Sequence, residues 1–93
     1  MKLLVKNENA RYSSEVIRHG GIKFKIVAEN SNAYCNLNVY VFTKDGGLEL
    51  IANRYDIPNA LNVDYLDEDE KRKKGNAKNI RLAEEYIKLV YSF

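Results

Sequence analysis

The sequence predicts an α+β domain: an antiparallel β-sheet of four to five strands with a C-terminal α-helix packed on one face. Three observations lead there. The runs "IKFKIVAE" and "AYCNLNVYVFT" alternate apolar and polar residues with period two. A "KDGG" turn then joins the second run to a third, "LELIANRYDI". The end of the chain, "IRLAEEYIKLVYSF", switches to a helical period. At 93 residues, 45% hydrophobic and 30% charged, the chain suits one domain, residues 1–93, that buries a core of its own. Within it the sheet is expected over about 2–57, a charged connector over 66–75 and the helix over about 77–92.

Taken in order, "KLLVK" reads as a short first strand. "YSSEVIRHGG" reads either as a strand feeding a His-Gly-Gly turn or as a short helix capped by Gly20, and the strand is favoured. In the next strand Ile22, Phe24, Ile26 and Ala28 share one face, with Lys23, Lys25 and Glu29 on the other. The following strand puts Ala33, Cys35, Leu37, Val39 and Val41 on the face that takes the helix. It leaves Tyr34, Asn36, Asn38, Tyr40 and Phe42 on an open face. If Asp45-Gly46 forms a two-residue turn, Val41 stands opposite Leu50 and Val39 opposite Ala52. Ile51 then joins Tyr40, and Asn53 joins Asn38. Pro58 ends the strand, because it cannot donate to a ladder.

The C-terminal helix has Asn76 or Asn79 available as N-cap. Its charged residues, Arg81, Glu84, Glu85 and Lys88, crowd with Ser92 into an arc of about 100°, leaving an apolar arc of about 200°. That is wider than one sheet covers. A loop, the N-terminal segment or a second chain must take the other flank, and Tyr86, Tyr91 and Phe93 form a candidate dimer seam.

Between sheet and helix lies "LDEDEKRKKGNAKN". As a helix, Asp67, Glu68, Asp69 and Glu70 would meet Lys71, Arg72, Lys73 and Lys74 at i, i+4 with the acid first, worth about 0.2–0.5 kcal/mol per pair. Gly75 would supply the C-terminal cap. A self-paired surface helix is therefore a sufficient account of the run. The functional alternative is a phosphate-binding knob of Lys71, Arg72, Lys73 and Lys74 with Lys78, whose field the neighbouring acids largely cancel. A calcium loop would need alternating ligands and a glycine turn that this run does not have.

Composition also bounds the chemistry. One histidine and one cysteine cannot build a usual zinc site within one chain, so no metal or cofactor is expected. Cys35 falls on the core face and reads as a buried structural thiol, and His19 beside Gly20-Gly21 reads as a turn residue. No phosphate-cradling glycine motif is present. An acid pair could draw on Glu15, Asp45, Glu49, Asp56 or Asp64, but spacing selects none of them. The single cysteine rules out an internal disulfide and fits a reducing compartment. No apolar run approaches the roughly 18 residues of a membrane span, and the start turns polar after three apolar residues. A cytoplasmic location is expected. A net charge of +2 argues neither for a dedicated nucleic-acid binder nor for a DNA mimic.

The open face carries the functional expectation. Tyr34, Tyr40 and Phe42, with Asn36 and Asn38 between them and Lys23 and Lys25 alongside, suit a protein-binding patch. The same set could stack bases and hold phosphates of a single strand, with help from the KRKK run. The plain structural alternative is a second core face covered by the N-terminal segment.

In layout, residues 22–93, a strand meander with a "DG" hairpin followed by a helix, resemble small proteins of phages and other mobile elements of the anti-CRISPR type. The Asn-, Lys- and Tyr-rich usage suits a low-GC bacterium or its phage. No diagnostic motif is shared, so no functional residue carries over. The resemblance implies a non-enzymatic inhibitor that blocks a host defence nuclease. Inhibitors that imitate DNA are acidic and this chain is slightly basic, so the implied mode is protein–protein contact. The chain is also similar to four-strand-plus-helix single-strand DNA binders that dimerise through their helices.

Overall fold

The computed structural model describes residues 2–6, 12–30, 35–64 and 71–91, with side chains described at 12–29, 35–64 and 76–91. Strands β1 (Lys2–Lys6), β2 (Tyr12–His19), β3 (Ile22–Asn30), β4 (Cys35–Phe42) and β5 (Leu48–Asn53) form one antiparallel meander in chain order. Helices α1 (Asp56–Leu61) and α2 (Lys71–Val90) follow. The α+β architecture is the expected one, and β2 settles residues 12–19 as strand.

Alternation decides which face is buried. Phe24, Ile26 and Ala28 of β3 and Cys35, Leu37 and Val39 of β4 are fully buried. They meet Ile80, Ala83 and Ile87 of α2, with Ile17 and Ala52 closing the sides. Between β2 and β3, Gly20 (φ 61°) and Gly21 (φ 82°) form a two-residue turn in the left-handed region. It sets His19 opposite Ile22.

Three expectations are corrected. First, the β4–β5 connection is a three-residue loop, Lys44–Asp45–Gly46. The Thr43 N–H donates to the Gly47 carbonyl at 3.0 Å and the Gly46 N–H to the Thr43 carbonyl at 3.1 Å, with Gly46 at φ 88°. Phe42 therefore pairs with Leu48, Val41 with Glu49 and Tyr40 with Leu50. A bulge at Ile51 restores Val39–Ala52 and Asn38–Asn53.

Second, β5 stops at Asn53, before Pro58, because a helix begins there. The Asn53 carboxamide oxygen accepts from the N–H groups of Tyr55 (2.8 Å) and Asp56 (3.3 Å), and Asp56 Oδ2 accepts from the Asn53 N–H (3.0 Å). These bonds close the turn that leads into α1, whose N-cap is Tyr55 and whose Pro58 falls in the first turn, where a missing N–H costs nothing. α1 lies against α2 and covers part of its wide apolar arc, with Ile57 fully buried.

Third, α2 begins at Lys71 and runs through Gly75, so that glycine does not cap a separate helix. Asn76 and Asn79 are buried inside α2 and do not cap it; Asn79 Nδ2 lies 3.2 Å from Cys35 Sγ. Asp67–Glu70 and their ion pairs lie outside the described residues.

Candidate functional site

The face of the sheet opposite the helices is read row by row from the register. Nearest the turns, Arg18 stands across from Lys23, and Phe42 beside them pairs with Leu48. In the next row Val16, Lys25, Tyr40 and Leu50 stand side by side. Further along, Val27 meets Asn38, which meets Asn53. Glu29 meets Asn36 in the row beyond.

Exposure is uneven across this face. Ser14, across from Val27, is fully buried, whereas Leu48 and Leu50 are 45% and 51% exposed. Tyr40 and Phe42 are half-buried beside them. Asn36 is also exposed at the far end, but the exposed apolar groups of this face lie at the β4–β5 end near the hairpin. There the Lys23 ammonium lies 4.6 Å from the centre of the Phe42 ring, a cation–π contact worth about 0.5–1 kcal/mol at an exposed site. The lysine stem adds to the apolar surface while its head stays wet. At the hairpin tip the Thr43 hydroxyl and the Gly47 N–H hold the exposed Asp45 carboxyl below its usual range.

The residues singled out in the sequence are partly brought together. Tyr40, Phe42, Lys23 and Lys25 share the open end. Asn36 and Asn38 lie on the same face but at its far end, beside Glu29 and Val27. Tyr34 lies outside the described residues. The KRKK run forms the first turn of α2, in the layer on the other side of the sheet, and its side chains lie outside the described residues. Tyr91 turns inward, its ring edge-on to Phe24 at 5.1 Å and 63°. Tyr86 is half-buried, and burial together with the charge of Asp56 raises its phenol above the ordinary value. Of the suggested dimer seam, Phe93 lies outside the described residues; among the described residues Leu89 and Val90, 54% and 50% exposed, are the large apolar groups α2 shows to solvent.

Leu48, Leu50 and Arg18 were not singled out. "LEL" carries the alternation that would show the leucines, but their face depends on the loop length. Arg18 follows from a two-residue Gly-Gly turn, which puts residue 18 opposite residue 23.

A second cluster sits where β2 meets α2. Glu15 and Glu84 share a hydrogen bond, which two carboxyl groups make only when one keeps its proton. Burial, that bond and the charge of Glu84 lift Glu15 to about 7. Nearby, a cleft of about 230 Å³ is lined by Ile17, Arg18, His19, Glu84 and Lys88. His19 Nε2 donates to the Tyr91 carbonyl at 2.9 Å, tying the end of α2 to the β2–β3 turn. Among the described residues, no three His, Cys, Asp or Glu side chains gather as a metal cage. No described helix is long and apolar enough to cross a membrane.

Comparison with family models, curated proteins and solved structures finds no match.

Proposed function

We propose that the protein is a non-enzymatic binding protein that occupies a surface of a larger protein through the hairpin end of its open sheet face. The observation that supports this reading is the exposure of Leu48 and Leu50 directly beside Tyr40 and Phe42. Four large apolar side chains in two adjacent rows lose water together when a flat partner covers them, whereas scattered ones do not. The layout resemblance to anti-CRISPR proteins makes a host defence nuclease the first partner class to test.

Single-stranded nucleic acid is the competing ligand. Against it, the Lys23 ammonium occupies a face of the Phe42 ring where a base would stack, and leucines offer no stacking platform. Leu48→Ser with Leu50→Ser tests the reading, since both side chains are about half exposed and neither belongs to the buried core. Used as bait beside the parent chain, the double variant should lose the proteins that the parent retains. Binding of a labelled 20-nucleotide strand at about 50 mM salt, lost at about 200 mM, would favour phosphate contacts instead.

A further inference from the structure

The charge around the apolar rows narrows the partner. Lys23 and Lys25 stand on the β3 side of the patch, with Arg18 one strand further out. In the strand register Lys23 stands beside Arg18, and Lys25 beside Val16 and Tyr40, so no acid faces either lysine across the ladder. The register removes the acid that the sequence would have put there. A two-residue turn would set Glu49 beside Phe42; the three-residue loop sets Leu48 there and moves Glu49 opposite Val41. Glu29, the acid on this face of β3, lies at its far end. The hairpin acid Asp45 stays ionised, held by Thr43 and Gly47 in the β4–β5 loop and not beside Lys23 and Lys25 on β3. The result is an apolar block flanked on one side by the positive charge of Lys23 and Lys25.

We propose that this face takes an acidic protein segment, with apolar side chains seated on Tyr40, Phe42, Leu48 and Leu50 and carboxylates set against Lys23 and Lys25. The inference rests on the sheet-face reading above and adds the partner's chemistry. Neighbouring strands are about 4.8 Å apart, so β3 and β5 lie about 10 Å from each other. A single helix about 10–12 Å across spans both, its apolar stripe on β4–β5 and its acidic flank on β3. Charge of this kind sets orientation and on-rate, while the buried apolar anchors set the lifetime of the complex.

The test is selection of a displayed random 16-residue peptide library on the full chain, followed by binding of the enriched peptides to variants checked by circular dichroism. Enriched peptides should combine apolar anchors with several Asp or Glu. They should lose binding to Leu48→Ser/Leu50→Ser. Binding to Lys23→Glu/Lys25→Glu should weaken about tenfold or more, equivalent to about 1.4 kcal/mol. Lys23→Gln/Lys25→Gln, which removes the charge without reversing it, should show a smaller loss in the same direction. Peptides that need the leucines but are neutral or basic, and ignore both lysine variants, would overturn the acidic partner and leave the sheet-face reading intact. Peptides that bind the leucine variant unchanged would overturn both. So would binding of a labelled oligothymidylate strand in place of any enriched peptide. A library that yields no enriched sequence overturns the inference.

Discussion

Glu15 shows what a single residue can set in this fold. Its carboxyl faces Glu84 of α2 across the sheet–helix contact, with Arg18, His19 and Lys88 bordering the nearby cleft. Folding raises it from an ordinary 4.5 to about 7. Between those values the folded chain holds a proton that the unfolded chain has released. Stability from this group is therefore fully present below about 4.5, falls as pH rises, and is lost above about 7. Solvent screening at this half-buried position reduces the effect. A loss of about 1 kcal/mol still lowers Tm by about 4–8 °C in a domain of this size. The expected result is a lower Tm at pH 8 than at pH 5 by about 4 °C or more, with Glu15→Gln flattening the difference. An unchanged pH profile in Glu15→Gln would remove the pair from the account. Sequence could name Glu15 among several acids but could not select it, because its partner is 69 positions away (84 − 15) and joins it only once α2 lies on the sheet.

At the scale of elements, strands and turns were legible where one local cue sufficed. The Gly20-Gly21 turn fixes its own register, and the alternation in β3 and β4 names the buried face. The β4–β5 hairpin was half legible for a specific reason. Its loop is one residue longer than the "DG" cue implies, and the bulge at Ile51 compensates by one residue. Val39–Ala52 and Asn38–Asn53 therefore come out as read from the sequence, while the stretch between bulge and loop shifts and changes faces. That stretch carries Leu48 and Leu50, the centre of the proposed site. α1 is not legible from Pro58, which serves equally as a strand terminator and as a first-turn helix residue; the Asn53–Asp56 turn before it decides for the helix. Asn76 or Asn79 suits a helix start by residue type, yet both are buried inside α2, a placement that only the surrounding layers decide. The hairpin makes its own prediction. A Cβ at Gly46 meets nothing within 4 Å, so Gly46→Ala costs only the strain of φ +88°, about 1–2 kcal/mol. Denaturant midpoints should fall accordingly. Because the loop sets the faces of Leu48 and Leu50, peptide affinity should fall too if the strain is relieved by a change in loop length.

The whole molecule separates stability from binding by placing them on opposite faces of one sheet. Both helices lie on one face, and Ile57 of α1 is fully buried where it helps cover α2. Leu48 and Leu50 lie on the other face, about half exposed. Removing a buried isoleucine side chain leaves a cavity and costs about 2–5 kcal/mol. Trimming an exposed leucine away from such a feature changes stability by about 0.5 kcal/mol or less. Two substitutions that share no partner should act independently. The expected outcome is a crossed pattern. Ile57→Ala should lower Tm by about 8 °C or more while, at a temperature where it stays folded, leaving affinity for the selected peptides within about twofold. Leu48→Ser/Leu50→Ser should hold Tm within about 4 °C and weaken the same peptides by tenfold or more, since each tenfold is about 1.4 kcal/mol and two anchors are lost. If the leucine variant unfolds, the hairpin end belongs to the core and the binding reading fails. If Ile57→Ala abolishes peptide binding while the chain remains folded, the two faces are coupled through the sheet, and the division of labour argued from their burial is wrong.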